Sequence, residues 1–250
     1  MLTNVRYVIL TALRDWLFTI LILGVVIVTM IAKFLGGTAL IENKEMTLVF
    51  ASGAVRILIV IGILIFSCFH VRNAFDTKEI DLFLSRPLTR ANLVFSYWLG
   101  FAAVSLLLVI PSILLVAVNG IIAWKGFAFW AVNLMIECLL VIAISILFSF
   151  TLRSAVTSVI ASSVFYIVSR MIGFFIAISE ENINLIGKLA SQVIKLFSYF
   201  VPRLDLFARS DLLVYGVSDI QDLQMVVFQI IIFIPVIIFI TVLNFNRKQF

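Results

Sequence analysis

Apolar runs long enough to cross a bilayer recur six times along the chain, at roughly 16–35, 48–70, 92–118, 128–151, 155–178 and 225–244. A spanning helix needs about 20 mostly apolar residues, so the pattern predicts six transmembrane helices. The third run is unusual, carrying no charge from Ala91 to Trp124, too long for one untilted span. Pro111 predicts a kink inside it and Asn119-Gly120 an end. Ahead of the first run, "MLTNVRYVILTALRDW" places Val5, Val8, Ile9, Leu13 and Trp16 near one helical face. Arg6, Arg14 and Asp15 fall mostly elsewhere, which fits a helix lying in the membrane interface. The alternative is an N-terminal extension of the first span. Between the fifth and sixth runs, about Ser179 to Gln224, lies the longest polar region. Ile183, Ile186, Leu189, Val193, Ile194, Phe197 and Phe200 recur there at helical spacing, with Lys188 and Lys195 on the other side. This predicts an amphipathic outer helix resting on or dipping into the bilayer, broken at Pro202. No repeat, linker or low-complexity tract divides the chain, so one membrane domain is expected over residues 1–250.

Composition agrees. The chain is 64% hydrophobic and 12% charged, with a mean hydropathy of +1.24, against about 45–50% apolar and about 25% charged in a soluble domain. Such a chain cannot cover itself with a water-soluble surface. The fold class expected is therefore all-α integral membrane. A formal net charge of +5 would point to nucleic acid in a soluble protein; here it reads as cationic loops held on one side, and no nucleic-acid partner is expected. With six spans both termini share a side. That side would hold Arg6, Arg14, Arg72, Lys78, Arg86, Arg90, Arg153, Arg247 and Lys248, against Lys33, Lys44 and Lys125 in the short loops opposite. The positive-inside rule then places both termini in the cytoplasm. The apolar run Trp16–Ala32 exceeds the usual h-region of about 7–15 residues, so it is expected to be a retained span. Cys68 and Cys138 sit inside apolar runs without a CxxC pair and read as buried thiols.

The most informative loop is "KEIDLFLSRPLTR", Lys78 to Arg90, between the second and third runs. Asp76 followed by Glu79 has the spacing of a capping box. Ile80, Phe83 and Leu84 form one apolar face of a short helix that Pro87 ends, and Thr89 can cap the span that follows. Lying flat on lipid headgroups and inserting into a groove on a cytosolic protein both fit this amphipathic pattern. The wording of the loop, an acidic residue, hydrophobic residues, then Arg-Pro-hydrophobic-Thr-Arg, resembles the coupling helix of permease subunits of ABC transporters, the type-2 exporter superfamily. The residues carrying the likeness are Glu79, Ile80, Leu82, Phe83, Leu84, Arg86, Pro87, Leu88, Thr89 and Arg90. The "VPRLDLF" stretch, Val201 to Phe207, is similar to a Pro-x-x-Asp-x-Phe segment on the outer side of some members. The six-span topology matches over nearly the whole chain; these local motifs cover about twenty residues.

The resemblance implies an ATP-driven exporter of an amphipathic or lipid-like substrate in a bacterial inner membrane. A cytosolic ABC ATPase subunit would bind the ATP and Mg and contact the coupling helix through Glu79, Ile80, Leu82, Phe83, Leu84, Arg86, Pro87 and Arg90. A second permease copy would complete a homodimer or heterodimer, surrounded by membrane lipids. Hydrolysis is expected in another chain, because no G-x-x-x-x-G-K-[ST] phosphate loop occurs here. The alternative reading is a passive channel or membrane scaffold docking a cytosolic partner through the same loop. No catalytic residue and no metal ligand set is expected: His70 is the only histidine, and there is no G-x-S-x-G.

Three charges interrupt the spans: Arg56, Glu137 and Arg170. Ionisable groups inside membranes are costly and are usually paired or face a cavity. The midpoint of Glu137 and Arg170 falls in the short turn at Arg153–Ser154, so each sits roughly 22 Å from that turn, at one depth on adjacent antiparallel helices. Arg56, a similar distance above Arg72, joins the same layer. One reading is a structural Glu137–Arg170 pair with Arg56 snorkelling outward. The other is a polar outer lining that meets an anionic substrate group.

Overall fold

The computed structural model describes residues 2–38, 43–80, 89–181, 201–207, 209–210, 212–216 and 220–247, together with residues 192, 196 and 198. The described elements are all helical. They are α1 (Leu2–Arg14), α2 (Trp16–Gly37), α3 (Asn43–Asp76), α4 (Arg90–Ala117), α5 (Trp124–Thr151), α6 (Ala155–Glu181), a 3-10 turn (Leu204–Phe207), α7 (Leu212–Tyr215) and α8 (Ile220–Arg247). Among these residues six helices are long and apolar enough to cross a membrane, so the chain is a multi-pass membrane protein. All six expected spans are present.

α5 is the hub of the bundle, packing on α3, α4, α6, α7, α8 and the 3-10 turn. Every residue from Leu140 to Ile146 is buried, as a helix apolar on all sides must be when protein surrounds it. α2 is the opposite case. It buries only Val25, Thr29, Ala32 and Gly36, one stripe turned to the bundle, while Ile20, Leu23, Ile27, Met30 and Phe34 stay exposed. A stripe of Leu, Ile and Phe is stable there because the surrounding solvent is hydrocarbon.

Several details differ from the sequence pattern. α3 extends well beyond 48–70, because polar ends (Asn43 to Glu45, Arg72 to Asp76) continue the helix past its apolar centre; its 34 residues span about 51 Å against about 30 Å of hydrocarbon. Asp76 closes α3, and its carboxylate accepts from Arg72 four residues earlier (3.3 Å). α4 runs without interruption through Pro111 and ends at Ala117, just before Asn119-Gly120. α1 is a separate helix and not an extension of the first span. Asp15 is extended (φ −80°, ψ 132°) and its side chain accepts from the Leu17 amide, capping α2. The face α1 turns to the bundle is also narrower than expected: Val8 and Ala12 are buried, whereas Leu13 is half-exposed, and Trp16, which opens α2, is 82% exposed. The expected amphipathic helix after Ser179 falls largely outside the described residues.

Candidate functional site: a buried charge layer and a tethered loop

Arg56, Glu137 and Arg170 meet. Along their helices they lie about 24–26 Å from Arg72 and Arg153, which mark the end of the bundle carrying the termini. Arg56 and Glu137 are both 0% exposed, and Arg56 Nη1 donates to Glu137 Oε2 at 2.9 Å. The same nitrogen donates to the backbone carbonyl of Phe207. Arg56 therefore turns inward and does not snorkel. A guanidinium can be stable at this depth because a carboxylate, a carbonyl and the face of Trp130 (5.7 Å from ring centroid to Cζ) surround it. Glu137 Oε1 accepts from the Tyr166 hydroxyl at 2.9 Å and from Arg170 Nη1 at 3.4 Å. Arg170 Nη1 also donates to Tyr166 Oη at 2.7 Å, and the Arg170 side chain remains 28% exposed. Two arginines thus share one carboxylate, with the buried Arg56 the closer partner.

Tyr166 was missed in the sequence. Its signal was available, since it precedes Arg170 by one helical turn on the same face of α6. The Phe207 carbonyl had no signal, because backbone acceptors are the same in every residue.

The segment around Phe207 enters the bundle from the side opposite the termini. Val201, Pro202, Leu204, Phe207, Leu212 and Leu213 are all buried. Irregular backbone at membrane depth is tolerated where protein covers it, and two glycines make the close contacts possible. A Cβ on Gly173 of α6 would meet Asp205 Oδ2 at 2.1 Å, and one on Gly126 of α5 would meet the Leu212 carbonyl at 1.8 Å. Asp205 is itself paired with Arg203 Nη2 at 2.9 Å.

At the termini end, both flanks of the Lys78–Arg90 loop are tied down. Lys78 turns the chain in a left-handed conformation (φ 57°). Glu79 Oε2 accepts from the Tyr7 hydroxyl of α1 at 3.0 Å, while burial, and after it this carboxylate, push the Tyr7 hydroxyl above its ordinary pKa. Ile80 is buried in the core, so its side chain anchors the loop to its own bundle. On the other flank Thr89 accepts from the Asn92 amide and caps α4, as expected. Arg90 Nη1 donates to the carbonyls of Phe245 (2.8 Å) and Asn246 (3.2 Å) in the last turn of α8, where a cation meets the negative end of the helix dipole. Arg72 does the same for α5 through the Leu152 carbonyl (3.1 Å). Leu82, Phe83, Leu84, Arg86 and Pro87 lie outside the described residues.

No family model matches the chain, and no curated protein matches it. Among the described residues no group of three His, Cys, Asp or Glu side chains is placed to hold a metal ion. What the geometry offers is a charge layer, buried except at its Arg170 edge, near one end of the bundle, and at the other a loop whose flanks are tied to α1, the core and α8.

Proposed function

We propose that the chain is the membrane-spanning subunit of an ATP-driven exporter of the ABC type-2 class, moving an amphipathic or lipid-like substrate. A separate cytosolic ATPase binds ATP and Mg and grips the Lys78–Arg90 loop; a second permease copy completes the pathway in a bacterial inner membrane, with both termini cytoplasmic and α1 lying in the interface. The observation that carries this reading is the anchoring of the loop. Glu79 is bonded to α1, Ile80 is buried in the core, and Arg90 holds the end of α8. A loop that only floated on headgroups would need none of these ties. A loop that transmits force needs both a gripped centre and stiff flanks. The Arg170 edge of the charge layer, still partly exposed, is where an anionic substrate group would be met.

The test is co-purification in detergent with a candidate ATPase that has its own phosphate loop. Phe83→Ala removes an apolar anchor worth roughly 2–3 kcal/mol if it is fully buried in the partner and should weaken association strongly. Glu79→Lys should weaken it too, although a basic residue gains about 1 kcal/mol toward anionic headgroups. Tyr7→Phe is the control, removing the internal hydrogen bond of Glu79 while leaving its charge. Full association and transport in both Phe83→Ala and Glu79→Lys would overturn the assignment and favour a channel or scaffold.

A further inference from the structure

We propose that Arg56, Trp130 and Asn133 bind a small monovalent anion of halide size, sealed inside the bundle beside the charge layer. Arg56 spends Nη1 on Glu137 and Phe207. Among the described residues its Nε and Nη2 are buried with no hydrogen-bond partner, as are Trp130 Nε1 and both amide atoms of Asn133. Trp130, Asn133 and Glu137 follow at i, i+3 and i+7, one face of α5, and the Trp130 ring lies under the guanidinium. All four residues are at most 1% exposed. An unpaired buried donor is costly, so several on neighbouring side chains call for an occupant.

The chemistry of the set selects among occupants. Water donates as well as accepts, so it settles where acceptors are also present. The acceptors here are Asn133 Oδ1 and Gln229 Oε1, the latter also buried and unpartnered. Gln229 and Asn133 are equally far, counted in residues, from the termini-side ends of α8 and α5, which pack together. A water at that depth would satisfy the two amide oxygens, which leaves Asn133 Nδ2 as a donor beside Arg56 and Trp130. The free edge of Arg56 and the Trp130 indole offer only donors, which suits a species that only accepts. Charge points the same way. Among the described residues two arginines share one carboxylate and Asp205 is held by Arg203, which leaves the layer one positive charge in excess for an anion to neutralise. Complete burial restricts that anion to a single small ion.

The experiment is thermal unfolding of the whole protein in detergent, with chloride replacing gluconate at constant ionic strength and constant cation. The wild-type midpoint should rise by about 3–5 °C for each tenfold of chloride beyond half-saturation, with bromide substituting for chloride. Trp130→Phe keeps the ring under Arg56 and removes one N–H, so it should raise the chloride concentration needed by about tenfold. Asn133→Asp places a fixed carboxylate in the site and should make the midpoint indifferent to chloride. Equal midpoints in chloride and gluconate for the wild type would overturn the proposal and leave the site to water. A chloride response unchanged in both variants would place the ion elsewhere and overturn it equally. If neither variant yields folded protein, anomalous scattering from bromide in wild-type crystals decides, a peak between Arg56 and Trp130 supporting the site and no peak there refuting it.

Discussion

Removing one member of the charge layer at a time should destabilise the protein in a definite order, because the three charges differ in burial and in what their loss leaves behind. Glu137→Leu is the most severe. It strips the carboxylate from Arg56, which is fully buried and keeps the Phe207 carbonyl and the Trp130 face as its partners among the described residues, and from Arg170 as well. Breaking a buried pair by deleting one partner costs about 3–5 kcal/mol, and this change belongs at the top of that range. Arg56→Met comes next, near the bottom, because Glu137 keeps the Tyr166 hydroxyl and Arg170 as partners while the Phe207 carbonyl is left unpaired. Arg170→Gln is the mildest, about 1 kcal/mol, since its contact is longer (3.4 Å) and the side chain is 28% exposed. At about 2–4 °C per kcal/mol for a chain of this size, the midpoints should fall by roughly 10–20, 6–12 and 2–4 °C in that order. Purified detergent-solubilised variants followed by fluorescence-detected thermal unfolding give the numbers. The double variant Arg56→Met/Glu137→Leu should lose less than the sum of its parts, because the two changes share one contact. Arg170→Gln proving as damaging as Arg56→Met, or strict additivity in the double variant, would refute the picture of Arg56 as the principal partner.

Two further outcomes follow from contacts at opposite ends of the bundle. The Tyr7 hydroxyl has a raised pKa, so its contact with Glu79 stabilises the docked α1 at neutral and mildly alkaline pH, below the ordinary tyrosine range, and is lost as pH climbs through the raised value; limited proteolysis between α1 and α2 should accelerate above about pH 10, and Tyr7→Phe should abolish that pH step. Gly173→Val and Gly126→Val each drive a side chain into the segment from Val201 to Tyr215, so impermeant thiol labelling of a cysteine placed at Leu204, buried in the parent protein, should rise several-fold, whereas Gly37→Val, which meets nothing within 4 Å, should leave it unchanged.

The parts legible in the sequence were those set by length and by depth. Six apolar runs gave six helices, and the symmetric placement of Glu137 and Arg170 about the Arg153–Ser154 turn put them in contact. The inward course of Arg56 was not legible, since its partner lies on α5 and nothing local to α3 names it. Reading basic residues by side alone also hid two roles. Arg72 and Arg90 count toward the cationic face, yet each spends its head group on carbonyls at the end of another helix. Ile80 read as part of a face offered to a partner because periodicity cannot tell a groove on another protein from the core of its own.

These contacts also determine which parts of the bundle can move separately. α3 holds α5 at two levels about 24 Å apart, through Arg56 to Glu137 at one end and Arg72 to the Leu152 carbonyl at the other. Between them Ser67 and Ser145 meet at 2.6 Å, fully buried, an approach that small residues permit between membrane helices. Helices clamped at both ends and close-packed in the middle rotate together or not at all. α6 is fastened differently. Its ties to Glu137 of α5 are the 2.9 Å bond from the neutral Tyr166 hydroxyl and the longer, partly exposed Arg170 contact, and it carries the far-side segment on Gly173. On the function proposed above, a force entering through the Lys78–Arg90 loop would reach α3 and α4 directly, and α1 and α8 through Tyr7 and Arg90. It would therefore swing α3 and α5 as one body, and the strain would concentrate where α5 meets α6. That seam runs through Glu137, so the charge layer stands at the joint between the rigid pair and the compliant helix.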